Sequence, residues 1–303
     1  MGEEREKRAM HEQNRRSWNA VTPVHNAHKR DQPAFLRRGG TTLWPDELEL
    51  LGDLAGLSVV HLQCNCGQDT LCLSRIAGSV VGVDIADAAV DFARELSRAT
   101  GLRATFVRSD LFDWFDSTPE RYDVAFSSYG TIGWLYDVTR WARGVARVLK
   151  PGGRLVLLEF HPLVWSLGAR GLTGDSYFVE GAIRENNGVN DYVGDALAPS
   201  GYEAGDGGFR NPEPAYGFQW TVAEIVQGIV DAGFLIEIFR EYPYANGCEL
   251  FDGMRRIERN RYVMPEGLPS VPLMLGISAR SPAAAQRLGQ HVPRKNSSGP
   301  RTL

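Results

Sequence analysis

"HLQCNCGQDT", residues 61–70, follows the apolar run "LSVV" (57–60) and leads into "LCLSRIAGSVVGVDIA" (71–86). The order reads as strand, tight turn, helix and second strand. That is where a nucleotide-binding fold sets its glycine-rich loop. Here only Gly67 sits in the turn, and Cys64 and Cys66 flank Asn65. Three readings compete: a damaged nucleotide loop, a metal site, or a variant loop that still holds a nucleoside.

The surrounding chain favours the nucleotide-type fold. Strands are expected over 58–63, 79–86, 104–113 with its exit loop, 122–130 and 154–162. Helices are expected between them, over 69–78, 87–102 and 134–149. Ala89, Phe92, Ala93 and Leu96 recur at helical spacing, as do Trp134, Val138, Trp141, Val145 and Val148. A further helix (220–233) and two strands (234–244 and 271–280) follow. Alternation of this kind predicts a doubly wound, Rossmann-like α/β fold with a mainly parallel seven-stranded sheet. Five parts are expected: an N-terminal helical lid (1–45), the Rossmann-like core (46–162), a lid or substrate insertion after the fifth strand (163–218), the rest of the core (219–280) and a disordered tail (281–303). In the first part, residues 1–18 read as a charged helix and 19–45 as loop, except for a short helix starting at Pro45.

Ligands in such sheets bind at the carboxyl ends of the strands. Gly67, Asp84, Asp110, Ser127 and His161 all fall there. Asp84 ends the second strand, 17 residues beyond Gly67, where an acid accepts from ribose hydroxyls. Asp110 ends the third strand, in reach of an adenine amino group. This set specifies a nucleoside, and leaves a dinucleotide and S-adenosylmethionine both open.

Bulk properties narrow the partners. The chain has 303 residues, 43% hydrophobic and 23% charged, with a formal net charge of -4. Without a basic excess, nucleic acid is not expected as a partner. No apolar run is long enough for a membrane span, and the N-terminal stretch lacks the apolar segment of a signal peptide, so a cytoplasmic protein is expected. The four cysteines offer no spaced ligand pairs of the zinc type; no metal is expected, and Cys64 and Cys66 read as small buried residues.

At this point the residues resemble a known family. Residues 46–160 look like a class I S-adenosylmethionine-dependent methyltransferase, and the last helix and strands extend the likeness to about residue 280. In the first motif His61 stands at the usual acid position, Gln63 and Asn65 at the first two glycines, and Gly67 at the third. "VGVDIA" matches the second motif, "SDLFD" the third, "YDVAFSSYG" the fourth, and "LKPGGRLVLLEF" the piece that follows. The chain also resembles a bacterial subgroup of small-molecule methyltransferases that carry "LQC…G…DT" and "EFHP".

The resemblance implies S-adenosyl-L-methionine as cofactor and a small-molecule acceptor, methylated by in-line displacement; a homodimer is left open. It implies cofactor contacts from Gln63, Asn65, Gly67, Asp84, Ile85, Asp110, Leu111, Ser127 and Tyr129, with Trp18 and His25 closing over the methionine part from the lid. Thr41 and Thr42 are weaker candidates. His161 is expected as general base, because an imidazole titrates near neutrality. Tyr177, Trp220 and Tyr242 are expected in the acceptor pocket. Two rivals remain: a nicotinamide oxidoreductase, which would want a fuller glycine fingerprint, and a non-catalytic scaffold.

Overall fold

The computed structural model describes residues 2–173, 176–192 and 208–282. Among these residues, fourteen strands and eight α-helices run in this order. The helix α1 (Gly2–Ala27) is followed by α2 (Gln32–Arg37), α3 (Pro45–Leu51), β1 (Ser58–Leu62), α4 (Gln68–Leu73) and β2 (Ser79–Asp84). Next come α5 (Asp87–Thr100), β3 (Thr105–Arg108), α6 (Leu111–Ser117), β4 (Tyr122–Ser127), α7 (Val138–Val148) and β5 (Leu149–Phe160). The remainder comprises β6 (Leu167–Gly168), β7 (Gly171–Leu172), β8 (Ala182–Glu185), β9 (Ala215–Phe218), α8 (Val222–Asp231), β10 (Leu235–Tyr242), β11 (Ala245–Asn246), β12 (Arg255–Ile257), β13 (Arg261–Val263) and β14 (Met274–Arg280).

Seven strands form the central sheet in the order β10-β14-β5-β4-β1-β2-β3. All neighbours are parallel except β14, which runs against both β5 and β10. The Rossmann-like expectation is met. Its chemistry is visible in β5 and β14, whose residues Leu155–Leu158 and Met274–Ala279 are buried on both faces, as an interior strand covered by helices requires. The α7 helix turns Val138, Trp141, Ala142, Val145 and Val148 to the sheet, and α5 turns Ala89, Val90, Ala93 and Leu96. The order reverses between β1 and β4, so a crevice opens at their carboxyl ends.

Several local readings are corrected. The N-terminal helix does not stop near Trp18; α1 continues through Pro23 to Ala27. Proline removes one helix hydrogen bond, but a buried face of His11, Asn14, Ser17, Val21, Thr22 and His25 holds the helix by packing. Residues 111–113, expected in the exit of the third strand, instead open α6, capped by the Asp110 carboxylate. The "KPGG" turn lies inside β5, where the pairing with β4 shifts register. A small sheet in the order β11-β13-β12 was not foreseen. The insertion holds the β6–β7 and β8–β9 pairs. From residue 283 the expected disordered tail lies outside the described residues.

Candidate functional site

A cavity of about 1130 Å³ lies at the carboxyl ends of β1, β2, β4 and β5. The α1 helix roofs it and is tied down by polar contacts to the insertion. Asn14 Nδ2 donates to the Tyr216 carbonyl at 2.8 Å and its Oδ1 accepts from Tyr216 N–H at 2.7 Å. Asn19 Oδ1 accepts from Ala88 N–H at 3.0 Å, in the first turn of α5. Trp18 lines the cavity and meets Trp134 edge-on at 5.5 Å.

The loop after β1 keeps the geometry of alternating glycines with only one glycine. Gln63, Asn65 and Gly67 have φ of 52°, 47° and 76°. Left-handed backbone costs a non-glycine residue roughly 1–2 kcal/mol, and both side chains offset it with local bonds. Gln63 Nε2 donates to the Thr131 carbonyl at 2.9 Å, and Asn65 Oδ1 accepts from Cys66 N–H at 2.7 Å. Gly67 is required for another reason as well: a Cβ there would lie 2.6 Å from the Phe106 ring and 2.7 Å from the Ala93 Cβ. Gln63 and Asn65 line the cavity, whereas Gly67 lies beneath it, packed on β3 and α5.

Asp84 lines the cavity and also staples this loop, accepting from Asn65 N–H at 2.8 Å and Ala86 N–H at 2.9 Å. Burial raises its pKa, and the backbone donors oppose that. Asp110 accepts from Phe112 N–H at 2.8 Å through Oδ1, while Oδ2 meets Nδ1 of His11 at 2.6 Å. Burial, the largest single influence, raises the Asp110 pKa, but the His11 contact and the Phe112 and Asp113 N–H donors together outweigh it and leave the carboxyl below its ordinary value. His11, absent from the sequence reading, is buried, lines the cavity, and has no partner at Nε2. Ile85 and Leu111 line the same region.

The loop after β4 is organised by Glu159. Its buried carboxylate accepts from Gly130 N–H, and from Thr131, Ile132 and Phe160 N–H at 2.9, 3.1 and 2.8 Å. His61, on β1, joins this loop to α4, the helix that the first loop leads into: Nδ1 lies 2.8 Å from Thr70 Oγ1, and Nε2 lies 3.3 Å from Ser128 Oγ. Burial pushes its imidazole down to about 4, so it is neutral. Ser128 and Tyr129 line the cavity; Ser127 instead turns its hydroxyl to Thr131 at 2.9 Å.

Four further expectations change. His161 is not on the cavity wall: its Nδ1 accepts from Leu163 N–H at 3.1 Å, capping a short 3-10 turn, and Nε2 sits 3.3 Å from Glu241. Both nitrogens are engaged away from the cavity, which removes the basis for a general base there. His25 lies behind the wall, with Nε2 at 3.0 Å from the Asn190 carbonyl, and burial lowers its pKa to about 4. Tyr177 accepts from Val222 N–H at 3.0 Å, at the start of α8, and Tyr242 is buried against Tyr244. Trp220 does line the cavity, its indole donating to the Leu135 carbonyl at 3.0 Å. Cys64 and Cys66 are buried, and Asn26 Nδ2 donates to Cys66 Sγ at 3.1 Å. Neither Thr41 nor Thr42 stands free, since the Thr42 hydroxyl donates to Asp69 and Thr41 Oγ1 accepts from Leu43 N–H.

With the loop, the two acids and the cavity in place, the chain can be set beside known proteins. Residues 59–153 match the methyltransferase domain family. Among curated relatives, the ubiquinone/menaquinone biosynthesis C-methyltransferase UbiE of Azotobacter vinelandii is 34% identical over 121 residues, 37% of this chain and 46% of that protein. The demethylmenaquinone methyltransferase of Lactococcus lactis is 30% identical over 120 residues, 38% of this chain and 47% of that protein. The chain thus spans less than half the length of these relatives. Among solved structures, an S-adenosylmethionine-dependent methyltransferase from Mesorhizobium loti shares the fold with a TM-score of 0.52 and 24% identity, covering 78% of this chain and 96% of that one. No helix among the described residues is long and apolar enough to cross a membrane.

Proposed function

We propose that the protein is an S-adenosyl-L-methionine-dependent methyltransferase acting on a small molecule. The carrying observation is the run of left-handed positions at Gln63, Asn65 and Gly67, stapled by Asp84 at the mouth of the cavity. The residues fit the cofactor: two buried polar atoms on the wall, His11 Nε2 and Gln63 Oε1, have no hydrogen-bond partner among the described residues. When bound, the cofactor supplies a methyl group made electrophilic by the neighbouring cationic sulfur. Asp84 keeps lone pairs to accept from the ribose hydroxyls. Asp110 orients His11, whose Nε2 meets the nucleobase edge. Ile85 and Leu111 flank the base, and Trp18 closes the cavity from above.

Ligand pockets run to about 300–1,000 Å³, so a cavity of about 1130 Å³ has room for a cofactor and a small acceptor together. Trp220 and Tyr129 belong to the acceptor side. The names of the relatives, which concern quinone biosynthesis, support a small-molecule acceptor as well. What the chain contributes to catalysis on this reading is alignment and exclusion of water.

Calorimetric titration with S-adenosylhomocysteine tests the reading, with NADH as control. Micromolar binding is expected for the wild type. Asp84→Ala is expected to weaken it by about a hundredfold, the value of two hydrogen bonds to a charged acceptor. A folded wild type that ignores S-adenosylhomocysteine would overturn the proposal.

A further inference from the structure

One part of the cavity wall has a chemistry that the cofactor's ribose and base do not use. Glu47, in the first turn of α3, is 1% exposed and lines the cavity. Its Oε2 accepts from Trp44 N–H at 2.5 Å, and Oε1 has no hydrogen-bond partner among the described residues. Beside it Asp69, in the first turn of α4, lines the same wall and accepts from the Thr42 hydroxyl. Tyr129, from the loop after β4, completes the wall; its hydroxyl accepts from Asn246 Nδ2 at 2.9 Å.

Among the described residues no cation pairs with Glu47 or Asp69. Arg261 is committed to Asp46 at 2.6 Å and is not on the cavity wall. Lys29 also lines the cavity, near Cys66 and His25, and is not among the charges that act most on Glu47. The groups facing Glu47 are Asp69 on α4, Asp46 on its own helix and the Tyr129 phenol. A buried carboxyl with an unsatisfied oxygen costs several kcal/mol unless it is neutralised or paired. Burial first, and then Asp69, push its pKa well above the usual carboxylate range.

We propose that Glu47 and Asp69, walled by Tyr129, form a subsite for an ammonium group. An ammonium carries three N–H donors and no acceptor, which suits two carboxyl groups with free lone pairs, and the Tyr129 ring adds a face that attracts cations. The ammonium belongs either to the amino-acid end of the cofactor or to an amine on the acceptor; the first source rests on the cofactor reading above. An arriving cation favours the ionised carboxylate and so opposes the upward push that burial gives Glu47, releasing any proton the free carboxyl holds.

The experiment is calorimetry at neutral pH in two buffers of different ionisation heat, which counts protons released by the unmodified protein. The ligands are S-adenosylhomocysteine, methylthioadenosine, which lacks the amino-acid end, and then phenethylamine and phenylethanol added to protein saturated with S-adenosylhomocysteine. Glu47→Gln keeps an oxygen for Trp44 N–H, and Asp69→Asn is the second variant; melting by circular dichroism checks that both fold. If the cofactor is the source, S-adenosylhomocysteine releases protons and methylthioadenosine does not. Both variants then lose about ten- to a hundredfold of S-adenosylhomocysteine affinity, as expected for a charge-assisted bond, and Glu47→Gln releases none. If the acceptor is the source, phenethylamine shows this behaviour, phenylethanol does not, and S-adenosylhomocysteine binding is insensitive to both variants. Proton-silent binding of every ligand, with wild-type affinity in both folded variants, overturns the subsite while leaving the cofactor reading intact. If S-adenosylhomocysteine fails to bind the folded wild type, the cofactor reading falls, and phenethylamine added to the free protein decides the subsite by the same criteria.

Discussion

Two loops at the carboxyl ends of the neighbouring strands β1 and β4 line the same cavity, and they are held in different ways. The first, 63–67, keeps its shape mainly through its own backbone, with left-handed residues at alternate positions and a single carboxylate contact, Asn65 N–H to Asp84. The second, 128–134, is shaped from outside: the Glu159 carboxylate gathers the N–H groups of Gly130, Thr131 and Ile132. Side chains then join the two. Gln63 reaches the Thr131 carbonyl, and His61 bridges Thr70, on α4, and Ser128. A loop held by local conformation tolerates exchange of side chains, as Gln63 and Asn65 in place of glycine illustrate. A loop held by one buried carboxylate depends on that group.

Glu159→Ala is therefore expected to have the largest effect. It orphans four backbone N–H groups, at about 1 kcal/mol or more each, for a loss of about 4 kcal/mol. The urea midpoint reads it, together with loss of S-adenosylhomocysteine binding. A loss below about 1 kcal/mol would mean that the second loop is also held by its own turns, and the contrast would collapse.

A smaller effect comes from the bridge between the loops. His61 is held neutral, with its pKa lowered to about 4 from 6.5. Between those values the unfolded chain takes up a proton that the folded chain refuses. Stability attached to this residue is thus complete above pH 6.5 and is lost as pH falls toward 4. One proton corresponds to about 1.4 kcal/mol per pH unit. His25, lowered to about 4 by burial, adds a parallel loss outside the cavity. Urea titrations of wild type and His61→Gln across this range isolate the bridge: the variant should show a shallower decline, by nearly one proton. Equal slopes would place a charged imidazole between the loops.

The sheet and its binding edge were legible because both rest on local pattern. Apolar runs bounded by turns mark β1, β2, β4 and β5, and an acid at the end of β2 needs no distant partner to be noticed. The α6 helix carries a local signal too, since Asp110 is its N-cap and Leu111, Phe112, Trp114 and Phe115 form its buried face, but residues 111–113 by themselves resemble a strand's exit loop. Other parts were not legible. His11 owes its place to Asp110, 99 residues away, and Glu47 to a wall built from α4 and the loop after β4. His161 shows the opposite limit: its position at a strand end was read correctly, but a cap on Leu163 N–H turns the ring away from the cavity. Spacing locates a backbone; side-chain direction depends on partners that only the fold brings together.

The smallest expected effect tests the first loop directly. At Asn65 glycine removes the left-handed penalty of roughly 1–2 kcal/mol but forfeits the Oδ1 contact to Cys66 N–H, a bond worth about 1 kcal/mol. Asn65→Gly should therefore shift stability by less than about 1 kcal/mol, whereas Asn65→Ala keeps the penalty, loses the bond and should cost about 1 kcal/mol more than glycine. Gln63→Gly balances in the same way locally but also cuts the link to Thr131. Its effect should depend on Glu159: a double-mutant cycle with Glu159→Gln should give a coupling of about 0.5–1 kcal/mol, while the cycle with Asn65→Gly should give none. Unfolding in urea supplies both cycles. Additivity in the Gln63 cycle would mean that the loops share a cavity without sharing stability, and that the departures from glycine serve the cavity wall alone.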